Sequence, residues 1–255
     1  MSLKYRLAEN EALYNCRVKR YGNIDKWTVF SKPILNPYCE PVIRRKRTCF
    51  KKSKDNEIRE DSIRRARIKI MDIAHANRFE YFVTFTLNQE KVNRYDKDMI
   101  LKKLHSWLKR RAHDFKYILV PELHEDGAIH FHGFVSGWLK MEDSGRKTKR
   151  GQTIYNAGKW DLGFSTAVKL EGPYNRIVNY LLKYITKDNA RIFGKSYFAG
   201  GKYLKREVPT RYENIGFEEI EGKVYHIPAA GLSVKYMDYD YEKAKVSRET
   251  IDLQE

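Results

Sequence analysis

Apolar residues recur at regular spacings through the central part of the chain, from about residue 58 to about residue 187. Over residues 58–76 they recur every three or four positions, which predicts a helix with an arginine-rich outer face. Residues 79–87 are dense in aromatic and β-branched side chains, which is typical of a short buried strand. Residues 99–112 repeat the three-and-four spacing and predict a second amphipathic helix.

The pattern then changes to strands. Residues 116–135 read as two strands joined by a turn at Glu125, Asp126 and Gly127. After a basic stretch at 140–159, interpreted as a loop, residues 163–170 predict another strand, and Gly172 with Pro173 marks the start of a helix that continues to about residue 187. This order of elements predicts an α+β fold in which helices pack on a central, mainly antiparallel sheet.

The two ends of the chain are harder to interpret. Residues 1–56 contain several prolines followed by the basic runs 44–47 and 51–54, and we interpret them as a basic N-terminal extension. Residues 57–230 then form the main domain, and residues 231–255 form a charged C-terminal tail. A chain of 255 residues has room for one main domain with such extensions.

Composition points to the kind of partner. The formal net charge is +17, and an excess of lysine and arginine on this scale favours binding to nucleic acid. No apolar stretch approaches the ~20 residues of a spanning helix, so a membrane is not an expected partner. The cysteines, Cys16, Cys39 and Cys49, are too few for a disulfide framework or a four-thiolate zinc site, which suggests reduced thiols in a cytoplasmic setting.

A candidate metal site lies in the predicted hairpin. His130 and His132 alternate with Phe131, so both imidazoles point to one face of the strand. A three-residue turn with Gly127 in the left-handed conformation would pair Glu122 with His130 and bring a carboxylate to that face. Two histidines and a carboxylate suit Mg²⁺ or Mn²⁺. His124 is a reserve ligand, although a surface hairpin histidine explains it equally well.

A candidate nucleophile lies in the last predicted helix. Tyr180, Tyr184 and Lys187 follow i, i+4, i+7 spacing and would line one side of that helix, with Lys183 beside them. A phenol has a pKa near ~10, and nearby ammonium groups or a metal ion would help it to attack a phosphodiester. Tyrosines at the border of an apolar stripe can also be purely structural, so the spacing alone leaves both interpretations open.

Taken together, these motifs resemble the HUH endonuclease superfamily, named for a pair of histidines around a bulky apolar residue. The resemblance covers residues 79–190: FVTFT at 82–86 resembles the first motif, PELHEDGAIHFHGF at 121–134 the second, and YLLKYITK at 180–187 the third. The histidine motif precedes the tyrosines, as in replication initiators. The paired tyrosines and the YNAGKWDLGFSTA segment at 155–167 are most similar to initiators of microviruses, filamentous phages and related plasmids.

The resemblance implies a rolling-circle replication initiator with an HUH-type catalytic domain, acting in the cytoplasm of a bacterial host. Such an enzyme nicks single-stranded DNA at an origin, unpaired or folded as a hairpin, and forms a 5′-phosphotyrosine intermediate before it rejoins strands. It implies His130, His132 and Glu122 as metal ligands, Tyr184 as the first nucleophile and Tyr180 as the second. Host replication proteins are further candidate partners. Residues 1–56 lack the cysteine cluster of many microvirus initiators, so the subgroup stays open.

Two other functions fit parts of the same pattern. A two-tyrosine transposase would use the same residues to move a mobile element, although the length of the chain argues mildly against it. A non-catalytic nucleic-acid-binding module would account for the charge and the aromatic residues alone. Such a module would not require a histidine pair and two Y-x-x-K units in this order.

Overall fold

A computed structural model describes residues 6–7, 13–36, 58–111, 115–137 and 139–242. Within these ranges the chain forms two antiparallel sheets and four helices, which confirms the predicted α+β class. The described residues form two compact units. One contains the described residues between 53 and 206, and the other contains those within 1–52 and 207–255. No helix in the described ranges is long and apolar enough to cross a membrane.

The unit formed by 53–206 is built on a seven-stranded antiparallel sheet with the strand order β10-β5-β6-β4-β9-β8-β7. Its strands are β4 (Tyr81–Leu87), β5 (Phe115–Leu123), β6 (Ile129–Gly137), β7 (Met141–Lys147), β8 (Thr153–Ala157), β9 (Gly163–Lys169) and β10 (Phe198–Gly200). Its helices are α1 (Glu60–Asn77), α2 (Lys97–Arg111), α3 (Tyr174–Leu182) and α4 (Lys187–Ile192). The strands predicted at 79–87, 116–135 and 163–170, and the helices at 58–76 and 99–112, are confirmed within a few residues; Ala112 lies outside the described residues.

Helices cover both faces of this sheet, and side-chain alternation decides which strand residues face which helices. Phe131 and Phe85 pack with Trp107 and the rest of the α2 stripe on one face. Val120 and Phe134 pack with residues of α1 and α3 on the other face. Since successive strand residues point to opposite faces, the neighbours of Phe131, which are His130 and His132, lie on the α1 and α3 side.

The predicted continuous helix from residue 173 to residue 187 is wrong. Helix α3 ends at Leu182, a tighter turn follows, and α4 begins at Lys187. The break has a local cause: Thr186 is extended, with φ −118° and ψ 168°, and its side-chain oxygen accepts a hydrogen bond from the backbone N–H of Asn189 at 3.1 Å. A threonine with this geometry caps a new helix instead of continuing the old one. Tyr184 therefore lies in the turn between the two helices.

The predicted loop at 140–159 is also wrong, because most of it forms the β7–β8 hairpin at the sheet edge. Its turn is closed by a hydrogen bond from Thr148 N–H to the Gln152 carbonyl at 2.8 Å. Gly151 has φ 83°, the left-handed conformation that a three-residue hairpin turn requires. The charged residues at 142–150 suggested a loop, but residues 153–157 carry no charge and pair with β7.

The second unit is a six-stranded antiparallel sheet with the order β1-β11-β2-β3-β13-β12. Its strands are β1 (Arg6–Leu7), β2 (Leu13–Tyr21), β3 (Ile24–Leu35), β11 (Thr210–Asn214), β12 (Lys223–Ile227) and β13 (Leu232–Asp240). This arrangement differs from the predicted extension at 1–56 and tail at 231–255, since strands from both ends pair with each other. Cys39, Cys49, the basic runs at 44–47 and 51–54, and residues 243–255 lie outside the described residues.

Candidate metal and tyrosine site

The β5–β6 hairpin sets the position of the histidine pair. His124 N–H donates to the Ala128 carbonyl at 2.8 Å, and Gly127 has φ 82°, so the turn has three residues as the sequence predicted. This register places Glu122 directly opposite His130. The predicted pairing is thereby confirmed, and Glu122, His130 and His132 share one face of the sheet.

His132 is the most constrained of these side chains and is only 9% exposed. Its Nε2 lies 2.5 Å from Oε2 of Glu122, and its Nδ1 lies 3.1 Å from Oγ1 of Thr84 on the neighbouring strand β4. Burial lowers the pKa of His132, and the adjacent Glu122 carboxylate opposes that shift. In a metal-ligating histidine, one ring nitrogen usually binds the metal ion and the other is hydrogen-bonded to a second group. For His132, Thr84 is that second group.

His130 and His124 stack on each other across the hairpin, with ring centroids 5.1 Å apart and an interplanar angle of 13°. Burial lowers the pKa of His130, the neighbouring histidines lower it further, and the Glu122 carboxylate opposes these effects. His124 is largely exposed, and its Nδ1 lies 3.3 Å from a carboxylate oxygen of Asp126. The lowered pKa favours the neutral imidazole of His130, which is the form that can bind a metal ion.

Within the described ranges, no three His, Cys, Asp or Glu side chains are grouped so as to hold a metal ion. The side chains of Glu122 and His132 are hydrogen-bonded to each other, while the ring of His130 is stacked on that of His124. The donor set itself, two imidazoles and one carboxylate on adjacent strands, is chemically suited to a divalent cation with open coordination positions. The Mg²⁺ or Mn²⁺ site stays a prediction.

Tyr184 lies against His132. Its ring stacks on that of His132, with centroids 4.2 Å apart and an interplanar angle of 12°. Its hydroxyl oxygen is 3.1 Å from that of Tyr180. Burial raises the pKa of Tyr184, and the hydrogen bond to Tyr180 and the negative charge of Glu122 raise it further. The phenol therefore stays protonated at neutral pH in this arrangement.

Tyr180 is more open, with 46% of its surface exposed. Its ring lies edge-on to Phe82 at 5.5 Å, and Nζ of Lys183 lies 5.4 Å from its ring centroid. Lys187, at the start of α4, forms an ion pair with Glu60 at 2.9 Å. The structure thus brings the two tyrosine hydroxyls together, with Tyr184 against His132, although the tyrosines do not share a continuous helix with Lys187.

Two residues that the sequence analysis did not select complete the site. Thr84 lies in FVTFT and pairs with His132 on the same face of the sheet, a pairing that the order of the strands decides. No pattern in the sequence singles out Asn189. It is 8% exposed, and its side-chain amide makes two hydrogen bonds: Nδ2 donates to the nearby Tyr184 carbonyl at 2.9 Å, and Oδ1 accepts from the distant Leu123 N–H at 3.2 Å.

Asn189 therefore ties the turn that carries Tyr184 to the end of strand β5, one residue beyond Glu122. Each hydrogen bond is to a backbone group, so Asn189 fixes the backbone positions of both segments independently of the nearby side chains. A buried amide that satisfies one donor and one acceptor at once cannot be replaced by an apolar residue without leaving both unpaired.

One family model matches the part of the chain that carries this site. The model of the family described as replication-associated protein ORF2 or gene II protein matches residues 80–189, a segment that contains Glu122, both histidines and both tyrosines. Neither the curated proteins nor the solved structures give a match to this chain.

Proposed function

Starting from the match of residues 80–189 to replication-associated proteins, we propose that this chain nicks single-stranded DNA at a replication origin and rejoins strands during rolling-circle replication. One observation carries the proposal: the two tyrosine hydroxyls lie 3.1 Å apart, and the ring of Tyr184 stacks on His132, which is hydrogen-bonded to the Glu122 carboxylate. A nucleophile pair beside candidate metal ligands suits strand transfer, because one tyrosine can hold the first cleaved strand while the other cuts again.

The proposed reaction is a transesterification. The Tyr184 phenolic oxygen forms a bond to the phosphorus, and the bond between that phosphorus and the 3′-oxygen breaks. The phenol loses its proton, and the departing 3′-oxygen gains one, so that a free 3′-hydroxyl and a 5′-phosphotyrosine result. The covalent link preserves the phosphodiester energy, and attack by a 3′-hydroxyl in the reverse sense rejoins a strand.

The proposed metal site consists of His130, His132 and Glu122, with Mg²⁺ or Mn²⁺ as the expected ion. When bound, the cation would polarise the phosphodiester and offset the negative charge that Glu122 places near Tyr184. Thr84 would orient His132 through Nδ1, and the neutral state of His130 favours coordination.

The two tyrosines have unequal surroundings, which supports unequal roles. Tyr184 contacts His132 and is the better placed for the first cut. Tyr180 is exposed, and Lys183 lies near its ring, so it can receive the second strand. The ammonium groups of Lys183 and Lys187 are proposed to balance phosphate charge; Lys187 would first have to leave Glu60. The two-tyrosine transposase would use the same chemistry, but the matched family is one of replication proteins.

The test is a covalent-adduct assay. The protein is incubated with labelled single-stranded oligonucleotides that tile the DNA element encoding it, with Mg²⁺, with Mn²⁺ or with EDTA. We expect a nick and a protein–DNA adduct that require the cation, with the adducted tyrosine located by peptide mass spectrometry. His130→Ala and His132→Ala should abolish the adduct while the far-UV circular dichroism is unchanged.

Matched tyrosine variants separate the roles. Tyr184→Phe removes only the phenolic oxygen and should bind DNA normally without forming an adduct. Tyr180→Phe should still form the first adduct but release no joined circles. Adduct formation by the double variant would place the nucleophile elsewhere, and full cleavage in EDTA by His130→Ala would rule out the metal site. Cytoplasmic action and host replication partners are part of the same proposal.

A further inference from the structure

The β7–β8 hairpin ends in a concentrated positive charge that the site described above does not use. Four of the five residues at 146–150 are basic, and we call them the basic tip: Arg146, Lys147, Lys149 and Arg150. All four are exposed, and none forms an ion pair or a side-chain hydrogen bond with the described residues. The nearest acidic residues along the chain are Asp143 and Asp161, so residues 144–160 contain no carboxylate side chain to offset the charge.

The turn that carries the basic tip is closed by several hydrogen bonds, although its cations have no partner among the described residues. Backbone bonds close it between Thr148 and Gln152 and between Gly151 and Thr148, at 2.8 and 2.9 Å. The Thr148 hydroxyl oxygen also accepts from the backbone N–H of Gln152 at 3.1 Å. A preorganised turn loses little conformational freedom on binding, so its cations can contribute more of their attraction to affinity.

The residue types in the basic tip favour double-stranded DNA over single-stranded DNA as its ligand. Surfaces that bind single strands combine cations with aromatic rings on which bases stack. Residues 144–152, SGRKTKRGQ, contain no aromatic side chain, and Tyr155 further along β8 packs against Tyr81 instead. Contacts to the phosphates of a duplex need only cations and hydrogen-bond donors, and a two-stranded β-ribbon fits the major groove.

The sheet register places the basic tip away from the tyrosines. His132 pairs with Thr84, Thr84 with Thr166, and Ile154 of β8 with Val168, two residues further along β9. With strands about 4.8 Å apart and a rise of about 3.3 Å per residue, Arg150 lies roughly 25 Å from His132. At about 3.4 Å per nucleotide along one strand, that distance corresponds to about seven base pairs.

We propose that the basic tip binds the phosphate backbone of double-stranded DNA next to the single-stranded segment that is cut. This extends the proposed function, since it assigns a second DNA form to a second surface, but it does not depend on cleavage. The duplex would be held about one helical turn or less from the cleavage site.

The test compares two variants that remove the same charge. In the tip variant the four cations become glutamine: Arg146→Gln, Lys147→Gln, Lys149→Gln and Arg150→Gln. In the control variant four exposed lysines on and before α2 become glutamine: Lys91→Gln, Lys97→Gln, Lys102→Gln and Lys109→Gln. Each variant lowers the formal net charge of +17 by four. Fluorescence anisotropy in EDTA measures binding of a 20-base-pair duplex and of a 20-nucleotide single strand.

We expect the tip variant to lose at least tenfold in duplex affinity at moderate salt and less than threefold in single-strand affinity. Its slope of log K against log salt should fall by about 0.9 for each lost phosphate contact. The control variant should change duplex affinity by less than threefold, and urea midpoints should show that both variants fold. An equal duplex loss in the control, or an equal loss for the single strand in the tip variant, would overturn the proposal. Because no cleavage is measured, a negative adduct assay leaves this result interpretable.

Discussion

Replacing Asn189 by alanine should separate the two segments that this residue joins. In the native structure its amide connects the Tyr184 carbonyl to Leu123 N–H, with bonds of 2.9 and 3.2 Å. Both segments carry candidate site residues, since Tyr184 is a proposed nucleophile and Glu122 is adjacent to Leu123. The substitution removes both bonds and leaves the side chains of the site untouched.

The expected cost can be worked from those contacts. A hydrogen bond contributes about 1 kcal/mol net, and a buried group left without a partner costs about 1–3 kcal/mol. Asn189 is 8% exposed, so water has limited access to the orphaned groups, although Leu123 itself is 47% exposed. We therefore expect Asn189→Ala to lower the free energy of unfolding by about 2–4 kcal/mol.

The assay is urea denaturation followed by circular dichroism, with Asn179→Ala as the control. Asn179 lies on the exposed side of α3, so its replacement by the better helix former alanine should change stability by less than about 0.5 kcal/mol. Asn189→Asp keeps an acceptor for Leu123 N–H but turns an oxygen towards the Tyr184 carbonyl, so it should be destabilised as well. In the adduct assay Asn189→Ala should bind single-stranded DNA normally and form less adduct.

Equal stability of Asn189→Ala and the native protein would refute this reasoning, because it would mean that the two backbone groups find other partners. A large loss of stability with full adduct formation would leave Asn189 as a structural tie and remove its role in positioning Tyr184.

Two further predictions concern buried groups outside the site. Burial raises the pKa of Tyr174 to about 12, above its ordinary value of 10.0, so the native state holds the phenolic proton longer than the unfolded chain. Stability should therefore fall as the pH rises from 10 towards 12, by up to about 2.7 kcal/mol, and Tyr174→Phe should reduce that fall in urea titrations at pH 9 and pH 11.5. Burial likewise raises the pKa of the Cys16 thiol to about 12, and its side chain is fully buried. Iodoacetamide should leave Cys16 unmodified until urea unfolds the protein, as mass spectrometry would show; rapid labelling in native buffer would contradict the buried position.

Much of the candidate site could be predicted because its signals are local. Alternation along residues 130–132 put both histidines on one face, and Gly127 in the turn set the register that placed Glu122 opposite His130. The adjacent strand in the fold, β4, is distant in sequence, so the bond from Thr84 to His132 followed only once the strand order was known. Asn189 was missed because its two partners are remote in sequence or belong to a turn that the helix prediction had hidden.

The errors have the same origin. Periodicity extended α3 through Lys187, but Thr186 stops the helix by capping the next one, a competition that hydrophobic spacing does not record. Charge at 140–159 suggested a loop, whereas pairing with β9 makes residues 153–157 a strand. In the first case a side-chain cap decided the local structure and in the second case strand pairing did, each against the average preference of the residues.

The amino-acid sequence by itself determined the α+β class, the main helices, the face shared by the two histidines and the choice of Tyr180 and Tyr184 as candidate nucleophiles. Each of these depends on residues within a turn or two of one another. Tertiary structure alone decided that Tyr184 stacks on His132, that Asn189 joins the turn of Tyr184 to the end of strand β5, and that strands from both ends of the chain form one sheet. The reason is that strand pairing joins residues as far apart as Lys26 and Asp238, and the hydrogen bonds that select such partners leave no periodic trace along the chain.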